Sequence, residues 1–149
     1  ALAVRLSSDR FGIVTEEMVE VFERLVDTGE VDMIDVSLWD VRRSAKDGPL
    51  AGRSLLDLFA GVERGDVRLG VAGQVRDPAD ITEVLERGVD IPILGRAAIL
   101  HHDYPRRLAA DPGFQPRHPP APPEVLIAEG VSPAFLDYLS SRFEGFVAT

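Results

Sequence analysis

Two short segments of the sequence combine glycine with groups that bind anions. VAGQ at 71–74 and ILGR at 93–96 each close a β-like run. Glycine lets backbone N–H groups approach an anion closely, and a helix that begins after Gly95 would add partial positive charge. The guanidinium of Arg96 can donate two hydrogen bonds to one phosphate. The pattern predicts a phosphate site at Ala72, Gly73, Gly95 and Arg96; the alternative is that both glycines only permit turns.

A charged residue lies inside the first β-like run, 1–7. An arginine on a parallel strand is costly without a partner, because both faces of such strands are normally covered. Arg5 is therefore expected either to meet an anionic or electron-rich ligand, or to pair with Asp32 or Asp35 on the next strand. Asp35 and Ser37 share one strand face, and we expect them to form a polar cluster beside Arg5.

The remaining reactive side chains predict no catalytic group and no metal site. His101 and His102 are adjacent, so on a helix they would point about 100° apart and make a poor metal pair. Trp39, the only tryptophan, is expected to pack under a loop rather than to cap the mouth of a site. Tyr104 is expected at the surface, and His118 has no evident partner.

The elements that must position these residues alternate between strand and helix. Apolar runs and helical periodicities follow each other four times, which is typical of an α/β fold with a parallel sheet. The sequence predicts strands at 1–7, 31–37, 67–72 and 89–94, with helices after each. A whole TIM (β/α)₈ barrel takes about 250 residues, so four units indicate either an open parallel sheet or half of a barrel.

Composition sets further limits. The chain has 149 residues, a net charge of −9 and no cysteine, which argues against non-specific binding to nucleic acid or anionic membranes and excludes disulfides. It holds no apolar run of the roughly 20 residues that span a membrane, and a cytoplasmic protein is expected. Because the chain opens directly on a strand without a leader, we expect a cut inside a larger protein.

Four of these segments together resemble one family. RLS at 5–7, the run 31–37, VAG at 71–73 and ILGRA at 93–97 are similar to the last four units of the NADH:flavin oxidoreductases, the old yellow enzymes. The resemblance covers about residues 3 to 110, and most of it lies between 67 and 105. It implies that residues 1–113 form the C-terminal half of a (β/α)₈ flavin barrel, strands five to eight. Residues 114–149 would be a proline-rich connection and a helical tail that packs on the barrel.

The resemblance also implies a cofactor and roles for particular residues. FMN would lie at the C-terminal mouth, with Arg5 near the N1 and O2 atoms of the flavin ring. Ala72, Gly73, Gly95 and Arg96 would surround the phosphate. Members of the family pass hydride from NADH or NADPH to an activated alkene or a similar small-molecule acceptor. Their substrate-binding and proton-donating residues precede the fifth strand.

The chain alone is therefore expected to be inactive and to bind FMN weakly or not at all. It would need the N-terminal half or a homo-oligomeric partner. Two other interpretations stay open: half of a non-flavin, phosphate-binding barrel enzyme, and a non-catalytic half-barrel that serves as an assembly module.

Overall fold

The computed structural model describes residues 1–9 and 12–148. Four strands and seven helices follow one another in these ranges. In chain order they are β1 Ala3–Ser7, α1 Thr15–Asp27, β2 Met33–Ser37, α2 Leu55–Ala60, β3 Arg68–Ala72, α3 Pro78–Glu86, β4 Ile91–Ile93, α4 Arg96–Leu100, α5 Tyr104–Ala110, α6 Pro123–Ala128 and α7 Pro133–Arg142.

The strands form one parallel sheet in the order β1-β2-β3-β4. Arg5 is the register partner of Asp35, and Ser7 is that of Ser37. Ala72 is paired with both Ser37 and Ile93. The predicted α/β class with a parallel sheet is confirmed, whereas its closure into a (β/α)₈ barrel stays a prediction.

The chain divides into two compact units. Unit 1 comprises Ala1–Val75 and Ala79–Leu94, and unit 2 comprises Arg76–Pro78 and Gly95–Thr149. The sequence predicts a boundary between residues 113 and 114. The structure groups α4 and α5 with the tail helices instead.

The core of unit 1 lies on one face of the sheet. Alternate strand residues point to opposite faces, and one set is buried against the helices, with Phe22 of α1 and Phe59 of α2 in contact at a centroid distance of 5.7 Å. Four residues of β2 and β3 in this set are fully buried: Ile34, Val36, Leu69 and Val71. The opposite set stays half-buried or exposed along β1 and β2, and we call that side the inner face.

Unit 2 has a separate core. Leu126 of α6 and Leu139 of α7 are fully buried, and Phe146 near the end of the chain packs against them. The backbone of Ala121 pairs with the last segment, where its N–H donates to the Phe146 carbonyl at 3.0 Å. These contacts lie within unit 2, and the packing of the tail on a barrel stays a prediction.

Three local predictions from the sequence are wrong. A threonine before two glutamates predicts that Thr15 is the N-cap of α1, but it is the first residue of the helix and no side chain caps it. The spacing of apolar residues predicts a buried Val21, which is 40% exposed, while Val19 and Val26 pack on the core. Tyr104, expected at the surface, is fully buried.

None of the helices in the described ranges combines the length and the apolar character that a membrane crossing requires.

Candidate functional site

The inner face of β1 and β2 carries a polar cluster around Arg5. The Nε atom of Arg5 lies 3.3 Å from Oδ2 of Asp35, and its Nη2 donates to Oγ of Ser37 at 3.3 Å. The Arg5 side chain is nevertheless 63% exposed. Of the two predicted alternatives, the ion pair with Asp35 is observed, and it leaves most of the guanidinium accessible. A ligand at Arg5 stays a prediction.

Asp35 is the buried member of this cluster. Its side chain is only 15% exposed, and Oδ1 has no hydrogen-bond partner among the described residues. Burial raises the pKa of Asp35, and the charge of Arg5 opposes the rise. A carboxylate in this state is a poor independent ligand, but it fixes the arginine that faces outward.

The centre of the inner face is apolar and tightly closed. A Cβ atom at Gly70 would lie 2.5 Å from Cε of Met33 and 2.9 Å from Cδ1 of Ile93. The ends of these two flexible side chains occupy the space beside Gly70, and a larger residue there would displace them. The polar cluster at Arg5 therefore borders an apolar floor.

The loop after β2 holds a strained tryptophan. Trp39 has φ of 65°, in the left-handed region that bulky residues rarely adopt, and its side chain is 41% exposed. Trp39 is therefore only partly covered, and its packing under the loop stays a prediction. Gln74, which follows β3, has a positive φ of 55° as well.

Ala72 and Gly73, two of the predicted phosphate residues, hold this loop in place. Leu38 donates its N–H to the Ala72 carbonyl at 2.8 Å, and Val41 donates to the Gly73 carbonyl at 3.0 Å. A Cβ at Gly73 would lie 3.0 Å from the backbone nitrogen of Asp40. The close approach of two loops accounts for this glycine, and its role toward phosphate stays a prediction.

The other two predicted phosphate residues lie in unit 2. Gly95 precedes α4 with φ of −99°, and Arg96 is the first residue of that helix. No described atom of unit 2 lies within 4 Å of the position a Gly95 Cβ would take. Because α4 has only five residues, the predicted helix dipole contributes little here, and the cationic side chains must dominate.

Arg96 has a cationic neighbour that sequence reasoning missed. Burial lowers the pKa of Arg96, and the charge of Arg76 lowers it further. The hydroxyl of Tyr104 donates to the Arg76 carbonyl at 2.9 Å, which fixes that backbone in unit 2. Guanidinium groups that act on one another in this way raise the positive potential around them, which favours the binding of an anion.

His102, Asp103 and Glu129 of unit 2 place three ligand-type atoms within 4.8 Å of one another. The sequence does not bring Glu129 near the two histidines, because it lies 27 residues after His102. Arginines already neutralise these carboxylates, however. Arg107 contacts Asp103 at 2.6 Å, and Arg117 contacts Glu129 at 3.4 Å.

Glu129 is accordingly the centre of an ion-pair network. Burial works to raise its pKa, but hydrogen bonds from His102 and Arg117 outweigh burial and lower it. His101 is buried beside the ring of Phe114 at 5.1 Å, and burial lowers its pKa. The predicted packing role fits His101, whereas His118 lies 3.0 Å from Asp77 and does have a partner.

Unit 1 has a cavity of about 550 Å³ between α1 and α2. Four acidic side chains line it: Glu23, Asp27, Asp57 and Glu63. This lining is unfavourable for a phosphate, so the cavity does not compete with the predicted site.

Comparison with known proteins adds no assignment: no family model matches the chain, and no curated protein matches it significantly.

Proposed function

We propose that the chain contributes part of the FMN site of an NAD(P)H-dependent oxidoreductase built on a (β/α)₈ barrel. Arg96 and Arg76 bind the phosphate together with the backbone at Gly95, all within unit 2. The role of Arg5 toward the flavin ring comes from the family resemblance, and its own contacts lie within unit 1. The observation that carries the proposal is that two cationic side chains of unit 2, Arg76 and Arg96, act on each other electrostatically, so that a phosphate there would meet both charges.

The residues present fit a phosphate for two reasons. Charge-assisted hydrogen bonds from guanidinium groups are among the stronger ones in proteins, and Arg96 is half-buried, so water screens its charge less than that of an exposed arginine. The open space at the Gly95 Cβ position within unit 2 permits close approach of an oxyanion to the backbone.

Arg5 fits the ring of a flavin by its charge and its exposure. Asp35 and Ser37 hold Nε and Nη2 of its guanidinium, and the remaining N–H groups can donate to a ligand on the inner face. FMN, when bound, accepts a hydride from a nicotinamide and passes it to an acceptor. A fixed cation near the ring favours the reduced, anionic form of such a cofactor.

The phosphate role is tested by comparing FMN with riboflavin, which lacks the phosphate. We expect weak, saturable binding of both, with FMN the tighter ligand. Arg96→Ala should weaken FMN binding at least about tenfold, because charged hydrogen bonds contribute roughly 1.5–3 kcal/mol. Riboflavin affinity should not change, and both values are measured by quenching of flavin fluorescence.

Arg106→Ala provides the matched control, since Arg106 is an exposed arginine of the same unit. It removes the same charge without touching Arg76 or Gly95. Equal affinities of the wild-type chain for FMN and riboflavin would contradict the phosphate role. Submicromolar affinity of this chain for FMN would contradict the expectation that it holds only part of the site.

The cationic pair favours phosphate without specifying flavin, which leaves a non-flavin phosphate enzyme as the second candidate. Ribose 5-phosphate carries the same group without the ring. Displacement of FMN by ribose 5-phosphate at similar concentration would favour this second candidate, whereas failure to displace FMN would favour the flavin.

A further inference from the structure

We infer that Trp39 is a ligand-binding residue, which stacks its indole on an electron-poor, planar heteroaromatic ring at the carboxyl ends of β2 and β3. Every residue that carries this inference lies in unit 1. The inference rests on the proposed function only for the identity of the ring.

The position of Trp39 is that of a ligand-binding residue in a parallel sheet. In α/β proteins, ligands bind outside the carboxyl ends of the strands, in the loops that follow them. Trp39 lies two residues after the end of β2, and its side chain is 41% exposed. A large aromatic side chain that remains exposed beside a sheet offers a flat surface to a ring.

The backbone of Trp39 is held in an unfavourable conformation by its surroundings. Its φ of 65° suits glycine. Hydrogen bonds fix the residues on both sides, from Leu38 to Ala72 at 2.8 Å and from Val41 to Gly73 at 3.0 Å. Strain that neighbouring contacts maintain is found preferentially at binding sites.

Arg5 contacts the end of the strand that precedes Trp39. Its Nη2 donates to Oγ of Ser37, the last residue of β2, and Trp39 follows two residues later. Two residues of chain span at most about 7 Å. An aromatic residue and a hydrogen-bond donor therefore both belong to this end of β2, and that combination orients a polar heteroaromatic ring.

The electron-rich indole selects the chemistry of the ring. Aromatic faces attract electron-poor and cationic groups. Two components of the proposed reaction have this property: the isoalloxazine of an oxidised flavin and the nicotinamide of the hydride donor. Riboflavin and N-methylnicotinamide represent them separately, and neither carries a phosphate.

The experiment uses the fluorescence of Trp39, the only tryptophan in the chain. Each probe is titrated while intensity and lifetime are recorded. A stacked complex gives saturable quenching with an unchanged lifetime, whereas collisions shorten the lifetime in proportion to the loss of intensity. We expect the stacked pattern with at least one probe. The collisional pattern with both would overturn the inference.

Substitutions separate binding from packing. Trp39→Gly should weaken the stacking probe about tenfold, as loss of an aromatic stacking partner does, and Trp39→Phe should retain most of the affinity. Riboflavin binding is followed here by flavin absorbance, and N-methylnicotinamide binding by calorimetry, since the indole is gone. Trp39→Gly should also keep or raise the urea midpoint of unfolding, because glycine relieves the backbone.

Val14→Gly controls for the loss of an exposed apolar side chain in unit 1, since Val14 is 43% exposed and lies just before α1. It should leave the affinity for the probe unchanged. A fall in the urea midpoint of Trp39→Gly, or an unchanged affinity in that variant, would instead assign Trp39 a packing role and overturn the inference.

The two proposals fail in different ways. If the chain binds FMN and riboflavin equally well but Trp39→Gly still weakens the binding, the phosphate role is wrong and the ring site stands. If Arg96→Ala weakens FMN binding but Trp39→Gly leaves riboflavin binding unchanged, the ring site is wrong and the phosphate role stands.

Discussion

Arg5 and Asp35 meet across the pairing of β1 with β2, and their burial is unequal. The arginine side chain is 63% exposed and the carboxylate 15% exposed. Water therefore still hydrates most of the guanidinium. The carboxylate loses hydration, and only its ion pair with Arg5 compensates, because Oδ1 has no hydrogen-bond partner among the described residues. The cluster is held together at a local cost in stability.

This cost predicts the effect of Asp35→Asn. The folded pKa of Asp35 is raised above its ordinary value of 3.8, so just above pH 3.8 the folded chain retains a proton that the unfolded chain has released. Stability falls as pH rises through that window, and the loss persists at neutral pH. We expect Asp35→Asn to be at least as stable as wild type at pH 7.

Urea unfolding between pH 3 and pH 7 measures the difference between the two proteins. The advantage of Asp35→Asn should grow as pH rises from 3 and then level off. Asp66→Asn, which removes a charge from an exposed turn, controls for net charge. A variant that is less stable than wild type at pH 7 would show that the carboxylate stabilises the sheet.

At the scale of elements, Gly73 and Gly95 look equivalent in sequence but differ in the structure. Gly73→Ala would bring a Cβ atom to 3.0 Å from the backbone of Asp40, and backbone cannot move aside as a flexible side chain does. We expect a loss of about 1–3 kcal/mol, the usual cost of overpacking. Chemical denaturation provides the measurement.

Gly95→Ala is the counterpart. No described atom of unit 2 lies within 4 Å of the position its Cβ would take, so we expect a smaller loss of stability than in Gly73→Ala. Under the proposed function it should still weaken FMN binding. Equal losses of stability in the two variants would contradict the distinction drawn between the glycines.

The sequence was sufficient for the order of the elements and for the side chains that a strand register brings together. Period-two and helical patterns located the four strands, and Arg5 and Asp35 could be paired because they lie on adjacent strands. It was insufficient for contacts between loops. Nothing local indicates that Gly73 packs on Asp40, or that Glu129 reaches His102, because these contacts join residues 27 or more positions apart.

The sequence also understated the environment of Arg96. Arg76 lies in the segment after β3, and its position depends on the buried hydroxyl of Tyr104. Tyr104 had been expected at the surface, since one tyrosine at the start of a short helix carries no periodic signal. The sequence indicates this environment only in that one arginine, Arg76, follows β3 and another, Arg96, follows β4.

For the sheet as a whole, the order β1-β2-β3-β4 leaves β1 and β4 with one neighbouring strand each in the described ranges. We expect amide hydrogens of β2 and β3 to exchange more slowly than those of β1 and β4, because the central strands are held on both sides. Hydrogen exchange followed by mass spectrometry resolves the four segments. Equal protection of all four would show that the outer strands are covered by another chain, as an assembly module or a completed barrel requires.

The strained backbone of Trp39 has a consequence for how the sequence can change. Tryptophan is encoded by TGG, and replacement of its first base by G gives the glycine codon GGG. The residue that best suits a φ of 65° is thus a single mutation away at all times. If Trp39 stacks on a ligand as proposed, Trp39→Gly would arise readily and stabilise the protein. Selection for ligand binding would nevertheless remove it.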